Sequence, residues 1–531
     1  MQWKLPALAA AGLLGYPSWV EAAYKNWPSY NNTLTSERYA TLDAVDSKNA
    51  GGLKVLCSFD TGERMSFQTG LVEVDGALFA TTEHDTFSID ANTCKQNWRT
   101  HEEFASGALE VNRGPAWLDG RIFRGTADGR VIAYAAKNGK PLWSTTIADP
   151  AKGESVPASP IAWNGLVFIG NAGGDNKGVK GRMYALDAKT GHIVWEFYMV
   201  PKTPGDAARG PEAPSAGSHA ASSWRNAAGI PITGGATWTS YTLDPIKGFL
   251  YVPGGNPAPD FAKAPRQGEN LFASSIVVLD AKTGAYQKHF QLVTRDFHDW
   301  DVSSAPVLFL SKVGHRMLAE APKDGHLYLI DLNNGRMVYR KPVTTVLNVE
   351  APMTAQGTRF CPGSQGGAEW NGAAFDPADN LIFTGEVDWC TTVRAVPAAA
   401  LVSAPLGQPW SGATTGFGQQ DDPKRWGGWM TATDAASGER KWQFHAPFPI
   451  MGGVTPTGGG LLLFGDMGGN FYAFDAASGK KLWSTDLGGA IGGGVITYDA
   501  GQGQRIAVAA GMTSPIWPTP KINAKVVVLG L

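Results

Sequence analysis

The sequence predicts an all-β chain folded as an eight-bladed β-propeller, and three observations carry that expectation. First, a short pattern recurs along the chain: an apolar strand, then D-A-x-x-G-x-x-x-W. Second, neighbouring copies start 41 to 52 residues apart, and two longer gaps are each near twice that spacing. Third, the segments between copies are short apolar runs bounded by glycine, with little helical periodicity. A period of about 40–50 residues built from short strands points to four-stranded blades arranged in a ring.

The clearest copies run from Asp187 through Gly191 to Trp195, from Asp434 through Gly438 to Trp442, and from Asp475 through Gly479 to Trp483. Weaker copies start at Asp90 (ending at Trp98), Ala135 (ending at Trp143), Asp280 and Asp331, the last two with Phe- or Tyr-type neighbours in place of tryptophan. Asp and Gly suit the tight turn between two outer strands, and the tryptophan is expected to pack into the gap between blades. Runs such as 165–170, 248–252 and 461–465 read as buried strands. The last strand, Ala524 to Leu529, is expected to close the ring by pairing with a strand near the N-terminus. Residues 23–531 thus form one domain.

Composition agrees. Among 531 residues, 66 Gly and 34 Pro supply frequent turns, and 19 Trp supply large rings to pack between sheets. A formal net charge of -2 gives no basic face for nucleic acid. Lys4, the apolar run Leu5–Leu14 and Val20-Glu21-Ala22 read as an export signal over residues 1–22, too short to span a bilayer. No later segment is long and apolar enough to anchor the chain, so a periplasmic location without a transmembrane anchor is expected. Four cysteines in an exported chain suggest two disulfides, Cys57–Cys94 and Cys361–Cys390, because each pair brackets about one repeat. None lies in C-x-x-C-H, so no covalent c-type haem is encoded in this sequence.

Two segments stand apart from the repeat. One is Gly254-Gly255-Asn256-Pro257-Ala258-Pro259, preceded by Gly234 to Trp238; the other is Phe297-His298-Asp299-Trp300-Asp301. An Asn between Gly and Pro offers a fixed carbonyl, and two acids around one Trp repel unless a cation or hydrogen bonds compensate. Such an oxygen-rich set suits a hard cation such as calcium. Taken singly, each segment reads more readily as a turn asparagine or a solvated acidic loop.

Taken together, these motifs resemble the quinoprotein alcohol dehydrogenases, the pyrroloquinoline quinone (PQQ) family that includes methanol and ethanol dehydrogenases. The resemblance covers nearly all the mature chain, from Asn26-Trp27-Pro28 to the last strand, and implies PQQ-type tryptophan-docking repeats. It implies Asn256 as a calcium ligand, Asp301 as catalytic base and metal neighbour, and Asp175, in a Gly-rich turn where the family more often has Glu, as the third ligand. It also implies Trp238 as the ring stacking on PQQ, with Arg113, Lys323 and Gln68 around the quinone. Cys361 and Cys390 match a disulfide position of the family.

The chain also departs from the pattern. The family's two adjacent cysteines are Gly107-Ala108 here, its cofactor-facing Asn is Glu369 beside Trp370, and a later tryptophan is Met451. Position 303, where lanthanide-using members carry a further carboxylate, is Ser303, which favours calcium. The resemblance implies a PQQ- and calcium-dependent dehydrogenase of primary or secondary alcohols that passes electrons to an external cytochrome c. Sugar, polyol or polymeric-alcohol substrates are the alternative within that reading. A non-enzymatic propeller scaffold is the alternative outside it, and it leaves Trp238, Asn256 and Asp301 without a purpose.

Overall fold

The computed structural model describes residues 25–107, 109–214 and 218–531. The expected export signal, 1–22, and Ala108 of the cysteine-substituted pair lie outside the described residues. Eight four-stranded sheets dominate the described chain. Seven are consecutive meanders, built over residues 72–101, 116–146, 161–198, 242–291, 307–342, 373–446 and 455–486. The eighth is shared by the two ends of the chain. Its strands Val495–Asp499, Gln504–Ala510 and Lys525–Gly530 are completed by Lys54–Asp60, which pairs antiparallel with the C-terminal strand. The ring therefore closes as expected.

In four of the repeats the tryptophan docks on the glycine of the next blade. Trp98 Nε1 donates to Ala136 O at 2.9 Å, Trp143 to Ala188 O at 3.1 Å, Trp195 to Ala281 O at 3.0 Å and Trp442 to Ala476 O at 2.9 Å. A Cβ on Gly139, Gly191, Gly284 or Gly479 would lie 2.5–2.6 Å from the docked indole. Glycine is required there twice over, because each also has positive φ. The turn aspartates accept from the next backbone N–H groups, as Asp187 Oδ1 does from Thr190 N at 2.8 Å. Tyr339 takes the indole's place against Gly438. At the remaining copy Lys288 stands where the ring is expected, and the facing Gly335 has nothing within 4 Å.

Both disulfides form, Cys57–Cys94 and Cys361–Cys390. Cys361 and Cys390 flank the paired neighbouring strands Thr358–Phe360 and Thr391–Val393, whereas the sulfurs of the first bond do not lie on adjacent strands. Cys94 occupies the glycine position of its turn, with φ +58°, and Cys57 lies opposite Val528, the register that Trp195 holds opposite Ala185. At the seam where the ring closes, a covalent bond thus replaces the indole-on-glycine dock.

The N-terminal segment crosses the ring on one face. Trp27 pairs with Glu73, Leu34 and Thr35 carbonyls accept from Leu243 and Leu308, Glu37 O accepts from Phe375, and Ala40 pairs with the seventh blade. These partners belong to the first or second strands of five different blades, so their edge N–H groups are satisfied.

Candidate active site

Loops between blades bring the sequence-predicted residues together. The short strand Ser66–Phe67 pairs in parallel with Val111–Asn112, placing Gln68 beside Arg113. Gly70 N donates to Arg113 O at 2.7 Å. The Arg113 guanidinium lies 4.4 Å from the Trp238 ring centroid and 5.2 Å from that of Trp370, and it donates to Trp238 O. Burial pulls its pKa down to about 10. Trp370 is fixed by donating to Gly492 O at 2.7 Å, while Met451 is fully buried in the same apolar cluster, against which the half-buried Trp238 packs.

The acidic half is built around Asp301. Its Oδ1 accepts from Asn256 N at 2.8 Å and its Oδ2 from Lys323 Nζ at 3.0 Å, while the same ammonium reaches Asp299 Oδ2 at 3.2 Å. Gly255 makes room for this arrangement, since a Cβ there would lie 2.7 Å from Asp301 Oδ1. Asn256 Nδ2 donates to Asp260 Oδ1 at 3.0 Å, which orients the amide and leaves its carbonyl oxygen as an acceptor. Carboxylate oxygens of Asp175, Asp260 and Asp299 all lie within 4.8 Å of one another.

Asp260 escaped the sequence reading, and Asp299 was noted there without a role. Asp260 follows Asn256 by four residues in an ordinary-looking loop, and only its near-complete burial marks it out. Burial, then the charge of Asp301, raises Asp175 to about 6. Burial, then the charge of Asp175, drives Asp260 well up, and burial does the same to Asp299 despite Lys323. Burial works against the Lys323 ammonium, but Asp299 and Asp301 outweigh it and hold its pKa well above the ordinary value. Glu369, raised by burial to about 7, keeps one oxygen without a partner, as does Gln68.

The donor set fits the groups implied by the resemblance. Four carboxylates and one amide oxygen face a single lysine; the nearby Arg266 is already occupied by Pro259 O, Asp260 O and Asn270. That excess of oxygen donors suits a hard cation. Beside it, the Arg113 and Lys323 cations and the half-buried Trp238 ring offer contacts to a flat, polyanionic ring system, and the orphaned Gln68 and Glu369 oxygens can accept from an N–H of such a ring. Fold and site together have the character of a propeller enzyme with an organic redox cofactor.

Comparison with known proteins gives the family. A profile described as glucose/ethanol/alcohol dehydrogenase, β-propeller domain, matches residues 27–348, and one described as outer membrane protein assembly factor BamB matches residues 426–514. The quinohemoprotein alcohol dehydrogenase ADH IIB of Pseudomonas putida is 29% identical over 522 residues, covering 92% of this chain and 74% of the relative. The dehydrogenase subunit of alcohol dehydrogenase (quinone) from Gluconacetobacter polyoxogenes is 30% identical over 537 residues, covering 92% and 71%. A solved europium-containing methanol dehydrogenase superposes with a TM-score of 0.84 at 25% identity, covering 97% of this chain and all of that one. The chain belongs to this family, the PQQ-dependent quinoprotein alcohol dehydrogenases, and is an enzyme of that kind.

Proposed function

We propose that the chain oxidises primary or secondary alcohols to aldehydes or ketones at the site around Asp301. In this reading Asp175, Asn256 and Asp301 hold the cation, with Asp260 and Asp299 adding to the donor set, and Ca2+ is the cation that Ser303 favours. Trp238 carries the cofactor's flat face, and Arg113, Lys323, Gln68, Glu369, Trp370 and Met451 surround it. PQQ, when bound, supplies an ortho-quinone that accepts the two electrons of alcohol oxidation, its carbonyl polarised by the cation. The protein's part is to position the alcohol and take its hydroxyl proton. Asp301 suits that task because Asn256 N–H and Lys323 hold its two oxygens in place, each still with a lone pair free.

The observation that carries the proposal is this doubly anchored carboxylate near the Trp238 ring and the unpartnered Gln68 and Glu369 oxygens. In Asp301→Asn we expect PQQ to bind as before while turnover with an artificial acceptor falls by about 10²–10⁴; full activity in that variant refutes the assignment. We further propose that the electrons leave to a separate cytochrome c. All four cysteines of this sequence are paired, so none remains to attach a haem. A periplasmic location rests on residues 1–22, and among the described residues no helix is long and apolar enough to cross a membrane.

A further inference from the structure

An unusual number of buried polar atoms without partners collects on the inner side of blades five and six. One oxygen of Glu320, one of Glu369, and Nε and Nη2 of Arg38 have no hydrogen-bond partner, and the carboxylate of Glu386 has only the Thr384 hydroxyl beside it, although all four residues are at most 4% exposed. An unsatisfied buried polar group costs about 1–3 kcal/mol, so a run of them is untenable in a dry interior. Ordered water is the ordinary resolution where polar groups converge.

The four residues lie in turn within electrostatic reach of one another. Glu369 lies within electrostatic reach of Lys323, Asp301 and Arg113 at the active site. Glu386 feels both Glu369 and Glu320. Glu320 accepts from Ser304 Oγ at 2.6 Å and feels Arg38. Arg38 belongs to the N-terminal segment, whose Ser29, Thr33, Glu37 and Tyr39 line a depression of about 830 Å³ that opens to solvent.

We infer that these residues line a water-filled shaft that carries protons from the active site to the opposite face of the ring, with Glu369, Glu386 and Glu320 as its relay stations. The chemistry requires such an exit. Oxidation of one alcohol to its carbonyl compound by two one-electron acceptors breaks one O–H and one C–H bond and releases two protons with the two electrons. The electrons leave to the acceptors, whereas the protons start on Asp301 and the cofactor, both deep in the protein. Carboxyls spaced along a water column can pass them on, and Arg38 orients the column's far end without itself giving up a proton. The inference rests on the proposed function.

Two measurements test it. A crystal structure of the holoenzyme should show ordered waters bonded in series to Glu369, Glu386, Glu320 and Arg38; a dry, collapsed row overturns the shaft. Glu386→Gln keeps shape and removes the titrating proton. With a dye as one-electron acceptor, it should lower kcat by about tenfold and enlarge the solvent deuterium isotope effect. Its affinity for PQQ and its unfolding midpoint should stay as in the parent. Glu320→Gln, the second variant, should behave alike, and it decides the question if Glu386→Gln does not fold. Unchanged kcat and isotope effect in the Gln variants, with Asp301→Asn inactive, overturn the shaft and leave the proposed function standing. Full activity of Asp301→Asn overturns the function itself.

Discussion

If the Cys57–Cys94 bond stands in for an indole-on-glycine dock, restoring the repeat's own residues should recover part of what its removal costs. The two cysteines are 37 residues apart, for which the chain-entropy relation gives about 4 kcal/mol. Unfolding entropy of about 2.1 cal/mol/K per residue comes to roughly 1 kcal/mol/K over this chain, so the loss corresponds to a midpoint lower by about 4 °C. The loss is partly offset when glycine replaces Cys94, since a non-glycine residue at positive φ costs about 1–2 kcal/mol. The assay is calorimetry on two double variants. Cys57→Ala with Cys94→Gly should melt a few degrees below the parent. Cys57→Trp with Cys94→Gly should melt above that variant, because the new indole can lie against the new glycine as Trp98 lies against Gly139. An unchanged midpoint in the first variant, or a lower one in the second, refutes the reasoning.

Three other outcomes follow from the site. Trp238→Ala should weaken PQQ binding by about tenfold, from the loss of roughly 0.5–1.5 kcal/mol of ring stacking and the contact area that goes with it; an absorbance titration measures it, and unchanged affinity removes Trp238 from the cofactor floor. Asp260→Asn should weaken cation binding in a chelator competition, because ligand charge sets affinity at such sites; unaltered affinity would leave Asp260 outside the donor set. Glu369 makes the cofactor-free protein sensitive to pH. Its folded value of about 7 lies above the ordinary 4.5, so its contribution is intact below pH 4.5 and is lost as pH rises through 7, by about 3 kcal/mol at most. Denaturant titrations at pH 4.5 and 8 should show a smaller fall for Glu369→Gln than for the parent, and equal falls would contradict the burial argument.

The propeller was legible because its defining contact is written twice in each repeat, as a tryptophan and as the glycine it lies on. Where one partner changes, legibility fails. At residue 288 a lysine ends the repeat, and Gly335 opposite it meets nothing. At the ring's seam both partners are cysteines, so the sequence showed a disulfide but not that it replaced a dock. The site was legible at Asn256, Asp301, Trp238 and Lys323, whose neighbours in sequence are distinctive. Asp260 and Glu386 were not, because their meaning lies in burial and in what faces them across other blades. Glu386 sits in an eight-residue strand and reads like any outward-facing acid, yet it is fully buried.

The excess of carboxylates explains why the site is built on loops held from several blades. Three buried acids and the half-buried Asp175 repel one another, and Lys323, bonded to Asp299 and Asp301, balances only part of that charge. Arg266 adds little, since it also faces Asp296. An arrangement of this kind costs stability wherever its cation is absent, because burial disfavours each uncompensated carboxylate. A single flexible loop would relieve the repulsion by moving apart. Here Asp175, the Asn256–Asp260 loop and Asp301 come from three separate loops of a closed ring, and the backbone of Asn256 is tied to the Asp301 side chain itself. The ring's rigidity thus holds the acids together, and their raised pKa values show that proton uptake relieves part of the repulsion. In the proposed function a cation would take over that role, so its binding should compete with protons at the site.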